Sequence, residues 1–147
     1  MKREQVAKKA RRELQGLFLR WNRLLAGGGL ILYLGRAGSG VPPVKETTRL
    51  WIDAAWRMHD GHSVLAACLD EPKRVLTALV EIKGLPVDSV MLEGVPGDIV
   101  IHFQGGIVVE SFGRDTEGEQ WEVRRSDGYR LGLGEHWQFH EEFVKPD

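Results

Sequence analysis

A chain of 147 residues, 42% hydrophobic and 28% charged, has the length and make-up of one ordinary globular domain with a real core. Its single cysteine, Cys68, excludes an internal disulfide and a cysteine-based zinc site, and makes a reducing cytoplasm the default expectation. No apolar run approaches the roughly 20 residues that span a bilayer. Leu14 to Leu34 is broken by Arg20, Asn22 and Arg23, which with the lack of a small-residue cleavage pattern also argues against a signal peptide.

The formal net charge of −1 conceals an asymmetry. Residues 1–25 hold eight Lys or Arg against two Glu, a net +6, and the remainder holds twelve basic against nineteen acidic residues, a net −7. A basic arm on an acidic body either meets an acidic partner, nucleic acid or a protein patch, or lies against its own body. Ala7, Ala10, Leu14, Leu17, Trp21 and Leu24 recur at alternating spacings of three and four, and Val6, Phe18 and Leu25 widen the stripe. That period predicts one amphipathic helix over the first 25 residues, stopped by Gly27-Gly28-Gly29. Leu14, Leu17, Phe18, Trp21 and Leu24 are then the candidate partner-binding residues. Lys8, Lys9, Arg11 and Arg12, on the other faces, are the candidate nucleic-acid contacts. Among the five tryptophans, Trp56 and Trp121 read as core and Trp21 as the interface residue.

Leu30 to Leu34 reads as a short strand, and Gly35 to Pro43 as a Gly/Pro-rich connector. The chain thus divides into a helix over 1–29, a strand and connector over 30–46, and a sheet-plus-helix domain over 47–147. Gly35-Arg36-Ala37-Gly38-Ser39-Gly40 is not a phosphate loop, because Val41-Pro42-Pro43 cannot supply the helix turn such a loop needs. A hairpin is expected from Leu50 to Cys68, turning at His59-Asp60-Gly61-His62. Asp70 to Lys83 reads as a helix with Asp70 as N-cap and Gly84 as terminator, burying Val75, Leu76, Leu79, Val80 and Ile82. Leu85 to Leu92 leads into a meander of four runs: 98–103, 107–112, 120–124 and 129–133. In the first of these Ile99, Ile101 and Phe103 share one face. The predicted fold class is α+β: an antiparallel sheet of about six strands with one packed helix, plus the N-terminal amphipathic helix.

Ala55-Trp56-Arg57, the Leu79…Gly84…Val87 segment, the run from Asp98 to Gly106 and Glu119-Gln120-Trp121-Glu122-Val123 resemble small bacterial proteins grouped as domains of unknown function. The resemblance spans roughly Leu50 to Trp137 and leaves the N-terminal arm unmatched. It implies a compact sheet-plus-helix domain of the kind found among immunity and defence-associated proteins; fold alone does not give function.

Three constellations invite chemistry. His136 and His140, with Glu135, Glu141 and Glu142 beside them, have the spacing of metal ligands on a helix. The base of a His-Glu-x-x-His pattern is absent, however, and Trp137, Phe139 and Phe143 alternate as a closing strand would. Cys68 faces His59 and His62 across the hairpin, but lies in the smooth apolar run Leu65 to Leu69, where cysteine acts as a small hydrophobe. Asp115, Glu117, Glu119 and Glu122 are too few and too close for a calcium loop and read as a solvated acidic turn. The functional expectation is a non-enzymatic protein-binding module without cofactor or metal, an adaptor, accessory subunit or immunity-type protein. It acts on another protein or its own copy through the N-terminal helix and an acidic sheet surface, away from membranes. The alternatives are nucleic-acid contact through the basic arm and metal-assisted hydrolysis using His136 and His140.

Overall fold

In the computed structural model, which describes residues 1–37, 47–113 and 118–145, the opening helix α1 spans only Arg3–Leu14. Gly16 then takes a left-handed φ of 84°, a conformation that ends a helix at little cost. The stripe continues as a strand, β1 (Phe18–Leu24), paired antiparallel with β2 (Leu30–Gly35). The expected helix over residues 1–25 is therefore corrected to a helix and a strand. The three glycines are the turn of that hairpin, closed by the Leu25 amide donating to the Gly29 carbonyl at 2.9 Å.

The remaining elements are β3 (Thr48–Ile52), β4 (Ala55–His59), β5 (Val64–Ala67), α2 (Pro72–Val80), β6 (Val87–Glu93), β7 (Asp98–Phe103), β8 (Ile107–Phe112), β9 (Trp121–Arg124), β10 (Tyr129–Leu133) and β11 (Phe139–Phe143). They form two antiparallel sheets, ordered β1-β2-β3-β9-β10-β11 and β5-β4-β8-β7-β6. This corrects the single sheet of about six strands. The expected hairpin from Leu50 divides at Asp53-Ala54, where the chain changes sheets and both amides donate to the Gln120 carbonyl. The expected meander divides likewise, with β7 and β8 in one sheet and β9 and β10 in the other. Most of the connector at 35–43 lies outside the described residues.

Inward side chains of both sheets make one hydrophobic core, in which Trp56 and Trp121 are almost wholly enclosed, as are Ile99, Ile101 and Phe103. The two sheets also touch at an edge. Phe18 bridges Pro86, the Gly16 amide donates to the Val87 carbonyl, and the Val87 amide donates to Leu17.

Each helix closes a sheet edge. Val6, Ala10 and Leu14, one turn apart on α1, are fully buried. From the same helix Arg3 donates to the Leu92 carbonyl and to that of Gly94 just past β6 (2.8 and 2.6 Å), and Gln15, which caps the helix, donates to Asp88 (3.0 Å). These satisfy the outer carbonyls of β6, an exposed row that would otherwise recruit another strand. On α2, Arg74 does the same for Leu65 of β5 at 3.2 Å. α2 is shorter than expected, and Asp70 caps no helix; its carboxylate accepts from the Ala67 amide. Val75, Ala78, Leu79 and Ile82 are buried, but Leu76 and Val80 face solvent, correcting two of the expected core positions. No helix among the described residues is long and apolar enough to cross a membrane.

Candidate functional site

Successive strand residues point to opposite faces, so burial of Leu30, Leu32, Leu50, Ile52, Val123 and Leu131 sends the alternate residues to the outer face of the six-stranded sheet. Two rows cross all six strands there. One is Arg23, Ile31, Trp51, Glu122, Gly132 and His140; the other is Trp21, Tyr33, Arg49, Arg124, Arg130 and Glu142. In the second row three arginines stand directly opposite one another on β3, β9 and β10, spanning about 10 Å at the usual strand spacing. Like charges in that position repel, and the sheet offsets part of the repulsion from the neighbouring row.

The offsetting group is Glu122. Its side chain is only 4% exposed and accepts from the Arg124 guanidinium, with Arg130 Nε 3.9 Å away. His140 reaches it from β11 across the intervening strand, Nε2 to Oε2 at 2.8 Å. That reach passes over Gly132, which has no side chain to block it. A Cβ at Gly132 would lie 2.3 Å from the Trp121 carbonyl oxygen, so β9 and β10 approach as they do only because this residue is glycine. Arg124 also lies over the Trp51 ring, 4.1 Å from its centroid, a cation–π contact. At the β1 end Trp21 packs on Tyr33 with centroids 5.1 Å apart, and remains 49% exposed.

The hydrogen bond to Glu122 holds His140 above the ordinary imidazole range, against its own burial and with help from the Glu119 charge. Burial pushes Glu122 upward, but the hydrogen bonds from His140 and Arg124 prevail and keep its carboxyl below the usual range. Burial raises Glu119 and Asp53 at the same end of the sheet. A raised imidazole adds stability that is complete below its unfolded value, about 6.5, and is lost as pH rises through the folded one. A depressed carboxyl adds stability above its unfolded value, about 4.3, and loses it as pH falls through the folded one. Between those limits both contributions are present. Raising the pH from about 6 to about 9 therefore lowers the urea midpoint of the wild type. In His140→Gln, which keeps a donor but does not titrate, that slope is expected to flatten; an unchanged slope would mean that another group carries it.

Glu119, Glu122 and His140 each bring a donor atom to within 4.8 Å of the others, so a divalent cation is geometrically conceivable. Yet the Glu122 oxygens already serve His140 and Arg124. An entering cation would break the imidazole bond and meet two guanidinium groups, and the ion-pair network is the better account of the trio.

The structure brings some candidate residues together and separates others. His140 joins Glu122 and Glu119, while His136 stands exposed in a short 3₁₀ turn (Glu135–Trp137) with φ 56°. Glu141 faces the other way, bound by Lys9 and the Tyr129 hydroxyl, each at 2.6 Å. The metal pairing of His136 with His140 is thus replaced by a cross-strand cluster. Glu122 is a strand residue rather than part of an acidic turn; Asp115 and Glu117 lie outside the described residues. Cys68 sits beside Trp56, whose carbonyl accepts from its amide, at the far end of the hairpin from the turn that carries His59 and His62.

Leu14 is wholly buried, Leu17 and Leu24 pack against the core, Phe18 is half-buried, and Trp21 alone of the five partner-binding candidates is exposed. Of the basic candidates, Lys9 pairs with Glu141, Arg11 reaches the Val90 carbonyl at 3.5 Å, and Arg12 lies 3.6 Å from Glu13; Lys8 is exposed. Lys9 and Arg11 therefore meet the body, while the Arg12 contact lies within α1 itself. Arg49, Arg130 and Tyr33 were not singled out in the sequence. The signal that could have found them is the alternation in Arg49-Leu50-Trp51, Trp121 to Arg124 and Arg130-Leu131-Gly132, which puts each arginine opposite an apolar face. No protein-family model, curated protein or solved structure matches the chain.

Proposed function

We propose that the protein is a non-enzymatic protein-binding module, an adaptor, accessory subunit or immunity-type protein, whose recognition surface is the outer face of the six-stranded sheet. The observation that carries this reading is the row Trp21, Tyr33, Arg49, Arg124 and Arg130 in cross-strand register. Arginine and the large aromatics dominate protein interface hot spots, because they bury much area and bind directionally. α1 is a poorer recruiter than the sequence suggests, since its apolar stripe is spent on the body.

The arginines and aromatics also suit single-stranded nucleic acid. The positive zone is short, however. Glu142 ends the second row and Glu122 sits inside the first, so a polyphosphate running along the face would meet carboxylates after one or two phosphates. A protein surface with a few acidic groups fits this mixture better.

The test is purification at native expression level of the wild type and of a Trp21→Ala, Arg49→Glu double variant, with bound protein and nucleic acid both measured. A protein partner recovered with the wild type is expected to fall about tenfold or more in the variant, whose melting curve stays near that of the wild type. Recovery of nucleic acid in place of protein, lost in the same variant, would instead make this a nucleic-acid surface.

A further inference from the structure

Three of the four sheet edges are protected. Side chains of α1 and α2 take outer carbonyls of β6 and β5. β1 shifts register between Leu19 and Trp21 and carries Arg20 and Arg23, and a bulge and repeated positive charge both deter strand pairing. β11, at the far edge of the six-stranded sheet, runs in unbroken register, with β10 as its one strand neighbour among the described residues.

The register shows which of its backbone groups are left over. The Gly134 amide donates to the Gln138 carbonyl and the Val144 amide to the Gly128 carbonyl, at 2.9 and 2.8 Å. Hydrogen-bonded positions alternate along an antiparallel pair, so His140 and Glu142 also bond to β10. Phe139, Glu141 and Phe143 therefore turn their amides and carbonyls outward, away from the sheet. Phe143 is 69% exposed, its ring 5.3 Å from that of Tyr129 between centroids. An open edge that carries a bare phenyl ring is a template for another strand.

We infer that the protein pairs with a second copy of itself, β11 on β11 and antiparallel, about a two-fold axis at Glu141. That register sets Phe139 on Phe143, Glu141 on Glu141 and Phe143 on Phe139, each pair exchanging two backbone hydrogen bonds. All three outward residues are used. A shift of one residue would set Glu142 or His140 against its own copy. At the two-fold register the charges alternate instead: Glu142, opposite Arg130 in its own chain, gains His140 of the second copy on its other side. The two Glu141 side chains meet on the axis, but each is already bound by Lys9 and the Tyr129 hydroxyl. On the inner face each exposed Phe143 is covered by Phe139 of the other copy, an aromatic cross-strand pair. This contact closes on itself, whereas β1 on β11 would be head-to-tail and would grow. The edge lies outside the row from Trp21 to Arg130, so dimerisation and partner binding can fail separately.

Sedimentation of the full chain from about 5 to about 500 μM is expected to show a monomer–dimer equilibrium with a micromolar Kd, as a short edge allows. Phe143→Lys, at an exposed position, should raise Kd about tenfold or more and leave the melting temperature near that of the wild type. Glu142→Lys, facing His140 across the join, should weaken the dimer as well. Hydrogen exchange locates the contact: the amides of Phe139, Glu141 and Phe143 should gain protection as concentration rises, while those of His140 and Glu142 stay protected throughout. A chain still monomeric at the highest concentration, a dimer that keeps its Kd in both variants, or an exchange pattern that does not alternate would overturn the proposal. So would growth beyond the dimer that Arg23→Glu stops, the mark of β1 on β11.

Discussion

Leu14→Ala is expected to lower the unfolding free energy of the whole protein by about 3 kcal/mol, with both sheets melting in one transition. Leu14 is fully buried together with Val6 and Ala10, and the core they enter is shared by the two sheets. Truncation leaves a cavity between α1 and the strands, which close packing relieves only in part. The helix is also tied down by polar links: Lys9 to Glu141, Arg125 to Glu13 at 3.1 Å, and the arginine and glutamine bonds to β6. Urea titration followed by both far-ultraviolet circular dichroism and tryptophan fluorescence measures the effect. Were α1 a free recruiting arm, fluorescence would report an unchanged midpoint. Trp21→Ala provides the contrast. Half-exposed on β1, it should cost well under half as much as Leu14→Ala.

Gly132→Val is expected to cost about 3 kcal/mol, for two separable reasons. The first is backbone crowding: a side chain at that position would push against the Trp121 carbonyl and the Glu122 Cα, at 2.3 and 2.9 Å. The second is electrostatic. Prising β10 from β9, or filling the gap over the glycine, breaks the 2.8 Å bond from His140 to Glu122. The enclosed carboxylate then keeps only its arginines. A double-mutant cycle with His140→Ala separates the two. If loss of the bond is part of the cost, the double variant will be more stable than the sum of the single effects implies; strict additivity would assign the whole cost to crowding.

These two positions also show what could be read in the sequence. The strands of the second half were legible because the short β-branched run that puts Ile99, Ile101 and Phe103 on one face, bounded by turn glycines, fits a strand, here one with Val100 buried on the other face too. Which sheet each strand joins was not legible, since alternation is blind to partners: the crossing at Asp53-Ala54 carries no distinctive composition, and the acidic stretch after Phe112 marks a turn without saying which sheet follows. The first 25 residues misled for a physical reason. A period of three and four over Ala7, Ala10 and Leu14 is true helix, and it happens to run in phase into Leu17, Trp21 and Leu24. Gln15-Gly16 was the mark of the break, overshadowed by the three glycines further on. The arginine row and the His140–Glu122 contact were out of reach, because each member comes from a different strand and only register makes them neighbours.

The docking of α1 has a consequence for how the chain comes to be folded. On the ribosome this helix is made before β6 and β10, the two strands it packs against. Twelve residues of isolated helix are marginal in water, so the segment must wait, largely unformed and strongly basic, while the body is synthesised. Closing a loop that long is entropically costly and slow. Until it closes, the outer carbonyls of β6 have no cover and can pair with the same edge on another nascent chain. The positive charge of the waiting segment and the negative charge of the emerging body shorten that interval by drawing the two together. In this light the charge asymmetry along the chain acts as a guide for assembly, and refolding yield should fall as salt screens it.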